Sequence, residues 1–387
     1  MARLLFAAAL LAALAGAGRA DELVIRGNYY RDRNTRVIQP EAELSKDFAT
    51  GTTVGAHYLL DTITSASVAA GVKSDQPFTE LRNEFGVRLG QRFGRGQLTA
   101  RYSYSSESDY WAHTVSLSGT LDLYKKNTQL GLAVAYGHDN VAQRMAATTY
   151  TTLGTLDTLH FIGSLSQVLH KTLLFNLSYD LAVSGFGTQN NGFQANPYRT
   201  VILGGSPSRE KVPFQRVKQS LAAGFNWVIP LGSTLVPYIG FRPSYRFYWD
   251  DWTVLSSTPE LRIFVPVGPA EFRVTGRYYT QRAASFWSDL GDGKPFYPGN
   301  TGKACQHCLS TSTRGQTYFT ADPKLGEMDD MFLELRLMFR LHGLRRLSAW
   351  LSEGLLEMSY GHLFNDKYAH TAFGDAEVAG LTLTLPL

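Results

Sequence analysis

The chain is short of charge, of cysteine and of long apolar runs. Only 18% of its 387 residues are Asp, Glu, Lys or Arg, against roughly 25% in ordinary soluble domains. Such a surface is under-charged for a protein bathed on all sides by water. Two cysteines exclude a scaffold built on disulfides. Beyond residue 20 no apolar run approaches the roughly 20 residues that carry a helix across a bilayer, which excludes helical membrane spans. There is no GxSxG elbow, Walker loop or dinucleotide fingerprint, and no second CxxC or HxxxH, so the chemistries those motifs carry have no support. A net charge of +4 is too small to point to nucleic acid. What the chain does have is Gly 36, Tyr 20 and Phe 22, within an apolar share of 44%.

Residues 1–20 read as an address. Arg3, the apolar run Leu4 to Gly16 and the small-residue end Gly18-Arg19-Ala20 are the three parts of a secretory signal peptide, with cleavage expected before Asp21. The run is too short for a membrane anchor, and no lipobox cysteine follows it. The expected organisation is therefore residues 1–20 as signal peptide and 21–387 as one domain.

Along that domain apolar and polar residues alternate with period two, which puts one set on each face of a strand. Thr114 to Leu123 sets Val115, Leu117, Gly119, Leu121 and Leu123 against Thr114, Ser116, Ser118, Thr120 and Asp122. Leu333 to Leu341 and Glu271 to Thr280 divide in the same way. Segments of ten to fifteen residues are long for a soluble sandwich and suit a membrane barrel. About sixteen such segments can be counted, and the connections between them sort by length. Tight turns are expected at 48–51, 94–96, 125–127, 170, 231–232 and 268–269, on one side. The long connections 64–80, 139–156, 185–212 and 284–329 all fall on the other. This is the pattern of short periplasmic turns and long outer loops. Residues 343–353, with Leu344-Arg345-Arg346-Leu347 and Trp350-Leu351, predict a short amphipathic helix at the periplasmic rim. Tyr29-Tyr30, Tyr110-Trp111, Phe247 with Trp249 and Trp252, and Tyr278-Tyr279 predict an outer aromatic belt. Phe93, Tyr124 and Trp227 predict an inner one.

If the apolar set faces lipid, the opposite set lines a lumen. It comprises Arg82, Glu84, Arg88, Arg92, Arg101, Arg216, Lys218, Arg242, Arg246, Glu260, Arg262, Glu271, Arg273, Arg277, Glu334, Arg336, Arg340 and Glu357. Arginine predominates, and an Arg-rich wall in a barrel of this width favours anions. The same charges could instead pair across strands and fill the lumen; the pattern alone leaves both open.

Cys305-Gln306-His307-Cys308 is the one cysteine cluster. Leu309 stands where haem attachment requires His, and a zinc site lacks a fourth ligand. A disulfide within the longest outer loop is the plainer reading. The acidic pairs Asp250-Asp251, Asp289 with Asp292, and Asp329-Asp330 match no calcium-loop spacing. His57, His113, His160, His170 and His362 are scattered among segments, so no catalytic residues and no metal or cofactor are expected.

Several stretches carry a family resemblance: Arg26-Gly27 before Tyr29-Tyr30-Arg31, Thr35 to Pro40, Val54 to Ser67, Phe78 to Glu84, Ser108 to Trp111, and Tyr318 to Leu325. In these the chain resembles a bacterial outer-membrane family known as domain of unknown function 3570. The resemblance implies an outer-membrane barrel and brings no catalytic residues. It also implies gene neighbours that include a small lipoprotein and a flavin-transferring enzyme, and so a redox lipoprotein as a candidate partner.

The expectation is a single closed antiparallel transmembrane barrel of about sixteen strands in the outer membrane, in contact with its lipids and inserted by the barrel-assembly machinery. Three functions stay open: a pore for small, anionic solutes; a non-conducting scaffold for a periplasmic or surface partner; and, behind both, a surface hydrolase.

Overall fold

Period-two patterning becomes sixteen long strands joined into one sheet. The computed structural model describes residues 20–32, 35–65, 78–146, 149–185, 200–203, 206–287, 310–311, 317–320, 322–346, 349–365 and 374–386. The strands are β1 (Ala20–Arg31), β2 (Thr35–Asp47), β3 (Thr52–Ser65), β4 (Phe78–Phe93), β5 (Gly96–Ser106), β6 (Tyr110–Leu123), β7 (Thr128–Ala146) and β8 (Thr149–His170). They continue as β9 (Leu173–Ser184), β10 (Arg216–Pro230), β11 (Tyr238–Asp250), β12 (Leu255–Val267), β13 (Ala270–Arg282), β14 (Met328–Arg340), β15 (Leu355–Asn365) and β16 (Ala376–Pro386).

Each strand pairs antiparallel with the next, and β16 closes on β1 through partners such as Ile25↔Leu383 and Arg26↔Thr382. Closure leaves no sheet edge, so every ladder N–H and C=O has a partner inside lipid, where water is absent. Paired residues share a face, so register carries one parity around the ring. Outward it places Val87, Leu117, Leu132, Val274, Leu335 and Leu381, each large, apolar and exposed. In a soluble fold that band would be a severe aggregation liability; here it is the lipid contact.

The short turns lie at one end. Gly94 and Gly268 open two-residue hairpin loops between Phe93↔Gly96 and Val267↔Ala270, with φ of +55° and +57°. A first turn residue at positive φ matches the twist of the flanking strands, and glycine reaches it without steric cost.

The structure departs from the sequence expectation in four places. The loop expected at 139–156 is largely strand, because β7 and β8 run on past the barrel through Ala142↔Thr152 and Ala146↔Thr149; the β-branched Thr149, Thr151 and Thr152 favour extension. The turn expected at 231–232 runs from residue 231 to 237, since Pro237 has no N–H to give a ladder and β11 starts only at Tyr238. The rim helix is broken into a 3-10 turn, Leu341–Arg346, and a helix at Ala349–Ser352. Finally, Trp252 is no belt residue: it is 3% exposed, within a packed cap described below. Of the other belt aromatics, Phe93, Tyr124, Trp227, Phe247 and Tyr278 face out and are exposed. Tyr30, Tyr110 and Tyr279 face the lumen, where they donate to Asp32, Asp139 and Gln281.

Candidate functional site

The inward face of the barrel wall is mainly polar, with Leu59, Ile63, Phe264 and Phe332 among its few large apolar side chains. Strand parity puts Arg82, Glu84, Arg88 and Arg92 of β4, Arg101 of β5, Arg216 of β10, Arg242 and Arg246 of β11, Glu271, Arg273 and Arg277 of β13, and Glu334, Arg336 and Arg340 of β14 on the inward face. The same parity adds inward groups that the sequence reading left out: Arg26, Glu41, Glu43, His57, Asp61, Asp139, His160, Asp180, Asp250 and Asp330. The wall is therefore closer to charge balance than the arginine-dominated list suggested. The pattern was legible in β2, where Gln39, Glu41 and Glu43 alternate with Ile38, Pro40 and Ala42.

What distinguishes the two signs is their partners. Arg26 pairs with Glu41 at 3.0 Å and Glu43 at 3.5 Å, Arg88 with Glu43 at 2.8 Å, and Arg82 with Asp61 at 3.3 Å. Arg262 pairs with Glu260 at 2.7 Å, Arg273 with Glu271 at 3.1 Å, and Arg336 with Glu334 and Glu357 at 2.7 and 2.6 Å. Glu84 and Asp180 are engaged by His57 and His160, at 3.3 and 2.9 Å. By contrast Arg92, Arg101, Arg242, Arg246, Arg277 and Arg340 are exposed to the lumen with no carboxylate at ion-pair distance among the described residues. The inward charge without an ion-pair partner among the described residues is thus mostly guanidinium.

On the inward face three pairs of arginines stand directly opposite each other on neighbouring strands: Arg88↔Arg101, Arg242↔Arg262 and Arg273↔Arg336. Like charges in that relation destabilise a sheet, and each pair has at least one member held by a carboxylate: Arg88 by Glu43, Arg262 by Glu260, Arg273 by Glu271 and Arg336 by Glu334 and Glu357. The cost is softened by aromatic stacking. Arg242 and Arg273 lie over the Phe264 ring at 4.3 and 4.9 Å, and Arg277 lies over Phe332 at 5.0 Å.

Two recesses open in the wall. One of about 430 Å³ is lined by Arg26, Glu41, Glu43, His57, Glu84, Arg88 and Arg101. The other, of about 400 Å³, is lined by Arg242, Arg262, Glu260 and a group of Ser and Asn side chains from β8 to β11.

Above this wall, connecting segments fold onto inward residues at the outer end of β10 to β13. Trp252, Val254, Ala284, Phe286 and Leu325 form a buried apolar cluster, with Val212, Tyr248, Trp287 and Tyr318 against it. Asp250, its side chain wholly buried, anchors the cluster to the barrel. It accepts from Arg216 Nε at 2.9 Å and Nη2 at 2.5 Å, from Tyr248 Oη at 2.8 Å and from Val254 N at 2.9 Å. The Arg216 guanidinium then stacks on Trp252 at 4.3 Å. Gln281, inward on β13, donates to the carbonyls of Lys324 and Gly326 at 3.0 and 2.6 Å. At the outer end of β5 and β6, burial pushes the Glu107 carboxyl above its usual range, with Glu80, Asp109 and Asp61 adding to the effect and Arg82 opposing it.

The histidines bond carboxylates, a tyrosine or a threonine: His57 to Glu84, His113 to Tyr102, His138 to Asp157, His160 to Asp180 and His170 to Thr172. No serine hydroxyl joins these pairs among the described residues. Cys305 and Cys308, and Asp289 with Asp292, lie outside the described residues.

The sequence profile of a family described as "Protein of unknown function (DUF3570)" matches residues 65–353. The chain belongs to this family. No curated protein matches the DUF3570 chain by sequence. Among solved structures, a bacterial polysaccharide outer membrane secretin is 8% identical with a TM-score of 0.51, over 96% of this chain and 100% of that one. CdiB from Acinetobacter baumannii is 9% identical with a TM-score of 0.50, over 96% of this chain and 61% of that one, so the chain spans about three fifths of CdiB. OprD from Pseudomonas aeruginosa is 9% identical, with a TM-score of 0.44 over 95% of this chain and 94% of that one. At such identities the likeness is one of fold, and the fold is that of an outer-membrane β-barrel.

Proposed function

We propose that this DUF3570 protein is a water-filled passage through the outer membrane for small polar solutes, with anions favoured over cations, and that it carries no catalytic site. The observation behind the reading is in β11. Its burial pattern shows six consecutive exposed residues, Arg242, Pro243, Ser244, Tyr245, Arg246 and Phe247. A strand packed on one side shows alternate exposure; exposure of both sets requires open space on both faces. Pro243, Tyr245 and Phe247 meet lipid, so Arg242, Ser244 and Arg246 meet a hydrated lumen. A barrel of sixteen strands has the width for this. Anion preference follows from the free arginines, since paired charges partly cancel each other's field while unpaired ones do not. Export by cleavage after residue 20, insertion by barrel-assembly machinery and contact with outer-membrane lipids belong to the same reading.

The test is reconstitution of the folded protein in a planar bilayer, with reversal potential measured in a salt gradient. Steady conductance with a reversal potential on the anion side is expected. A silent folded barrel, or clear cation preference, overturns the proposal.

A further inference from the structure

The arginine pair Arg242↔Arg262 does not stand alone. It forms one end of the recess of about 400 Å³, within the roughly 300–1,000 Å³ of small-ligand sites. The rest of the inward lining is the carboxylate Glu260, whose charge is taken up by Arg262, and hydroxyl and amide groups: Ser164 and Ser166 of β8, Asn176 and Ser178 of β9, Asn226 of β10 and Ser244 of β11. Ala222 and Gly224 between them keep the space clear. No inward aromatic or branched aliphatic side chain lines it, so nothing in it would hold an apolar ligand.

The guanidinium of Arg242 is held in a particular way. One face lies on Phe264 at 4.3 Å, which leaves the N–H edge towards the lumen without a carboxylate partner among the described residues. A guanidinium fixed by its face and free at its edge is pre-organised for a planar, bidentate acceptor, and a carboxylate is the group that fits. Arg262 has its Nε on Glu260 at 2.7 Å and adds positive charge directly opposite. An arriving carboxylate would relieve the repulsion between the two arginines. Ser166 Oγ already donates to Asn176 Oδ1 at 2.8 Å; Ser164, Ser178, Ser244 and Asn226 make no side-chain hydrogen bond among the described residues and can serve ligand hydroxyls.

We infer that this recess is a binding site for a small polyhydroxylated carboxylate, of the sugar-acid class, with Arg242 taking the carboxylate and the Ser and Asn side chains taking the hydroxyls. The inference deepens the passage reading by naming a solute class, and it is tested separately from conduction.

The probe is glucuronate, titrated calorimetrically into the purified full-length barrel in detergent, with glucose and acetate as half-ligands that carry only the hydroxyls or only the carboxylate. Glucuronate is expected to bind more tightly than either. Arg242→Gln should weaken it at least tenfold, the scale of a lost charge-assisted hydrogen bond. Ala222→Trp, which leaves both arginines and fills the recess, should abolish binding. Lys125→Gln in an inner turn should bind as the wild type does, and heat-modifiable migration on gels confirms that each variant is folded. Glucuronate binding that survives both Arg242→Gln and Ala222→Trp overturns the assignment, as does acetate binding equal to glucuronate binding. A barrel that conducts and binds no glucuronate also overturns it while leaving the passage standing. A barrel that binds glucuronate and conducts nothing supports the recess and overturns the passage.

Discussion

Asp250→Ala should unfasten the outer cap without unfolding the barrel. Asp250 has its side chain wholly buried and receives two N–H groups of Arg216, the Tyr248 hydroxyl and the Val254 amide. Alanine leaves a mostly buried guanidinium without its counter-charge and a buried backbone N–H without its acceptor. Breaking one side of a buried ion pair costs about 3–5 kcal/mol. The loss is local, because the sixteen-strand ladder keeps its own hydrogen bonds and a barrel opens at its loops before its strands. At about 1.4 kcal/mol per factor of ten, cap opening should rise by roughly two to four orders of magnitude. Amide exchange at Val254 reads this directly, since its N–H is held by the Asp250 carboxylate; chymotrypsin cleavage at Trp252 and Phe286 reads the same opening in the loops. Asp250→Asn keeps an oxygen for Val254 and loses the charge for Arg216, so it should fall between the wild type and alanine. If Asp250→Ala leaves both the exchange at Val254 and the cleavage unchanged, Asp250 does not anchor the cap.

Three further outcomes follow from the wall and the rim. The double variant Arg101→Glu, Arg242→Glu removes two free guanidinium groups and adds two carboxylates, and should move the bilayer reversal potential to the cation side; no movement would show that these residues do not meet the ion path. Leu335→Arg puts a charge on the lipid face and should cost about 2–4 kcal/mol in equilibrium folding into lipid vesicles, whereas Thr114→Arg, facing the lumen between the uncharged Ser103 and Gly137, should fold normally and strengthen anion preference. Equal cost for the two would mean the faces are misassigned. Burial raises the Glu107 pKa in the folded protein, so the folded rim keeps a proton that the opened rim releases, and rim stability should fall as pH climbs from the ordinary carboxyl value through the raised one. Amide exchange over residues 105–112 should therefore be faster at pH 8 than at pH 4 after correction for intrinsic rates, and Glu107→Gln should flatten the difference; protection that rises with pH would refute the assignment.

Much of this is legible in the sequence alone, for a reason peculiar to membrane barrels. A strand with lipid on one side and water on the other must alternate, and closure forces every strand to obey the same parity. The alternation of Thr114 to Leu123 and of Glu271 to Thr280 therefore falls within β6 and β13, and the inward arginines follow from it. Local pattern shows some of the pairing, since Glu260 with Arg262, Glu271 with Arg273 and Glu334 with Arg336 stand two residues apart on one strand. It could not show the pairs between strands, such as Arg88 with Glu43, or that Phe264 lies under Arg242. Those depend on register between strands, which the tight turns set one hairpin at a time. Trp252 shows the same limit: its neighbours read as a belt, and only the return of residues 284–286 and 325 over the barrel mouth buries it. The sequence by itself determined the fold, the lipid face and the composition of the lumen, because each rests on a two-residue period. The tertiary structure decided which arginines stay free, where the recess opens and what closes over the outer end, because each of these rests on contacts between segments far apart in the chain.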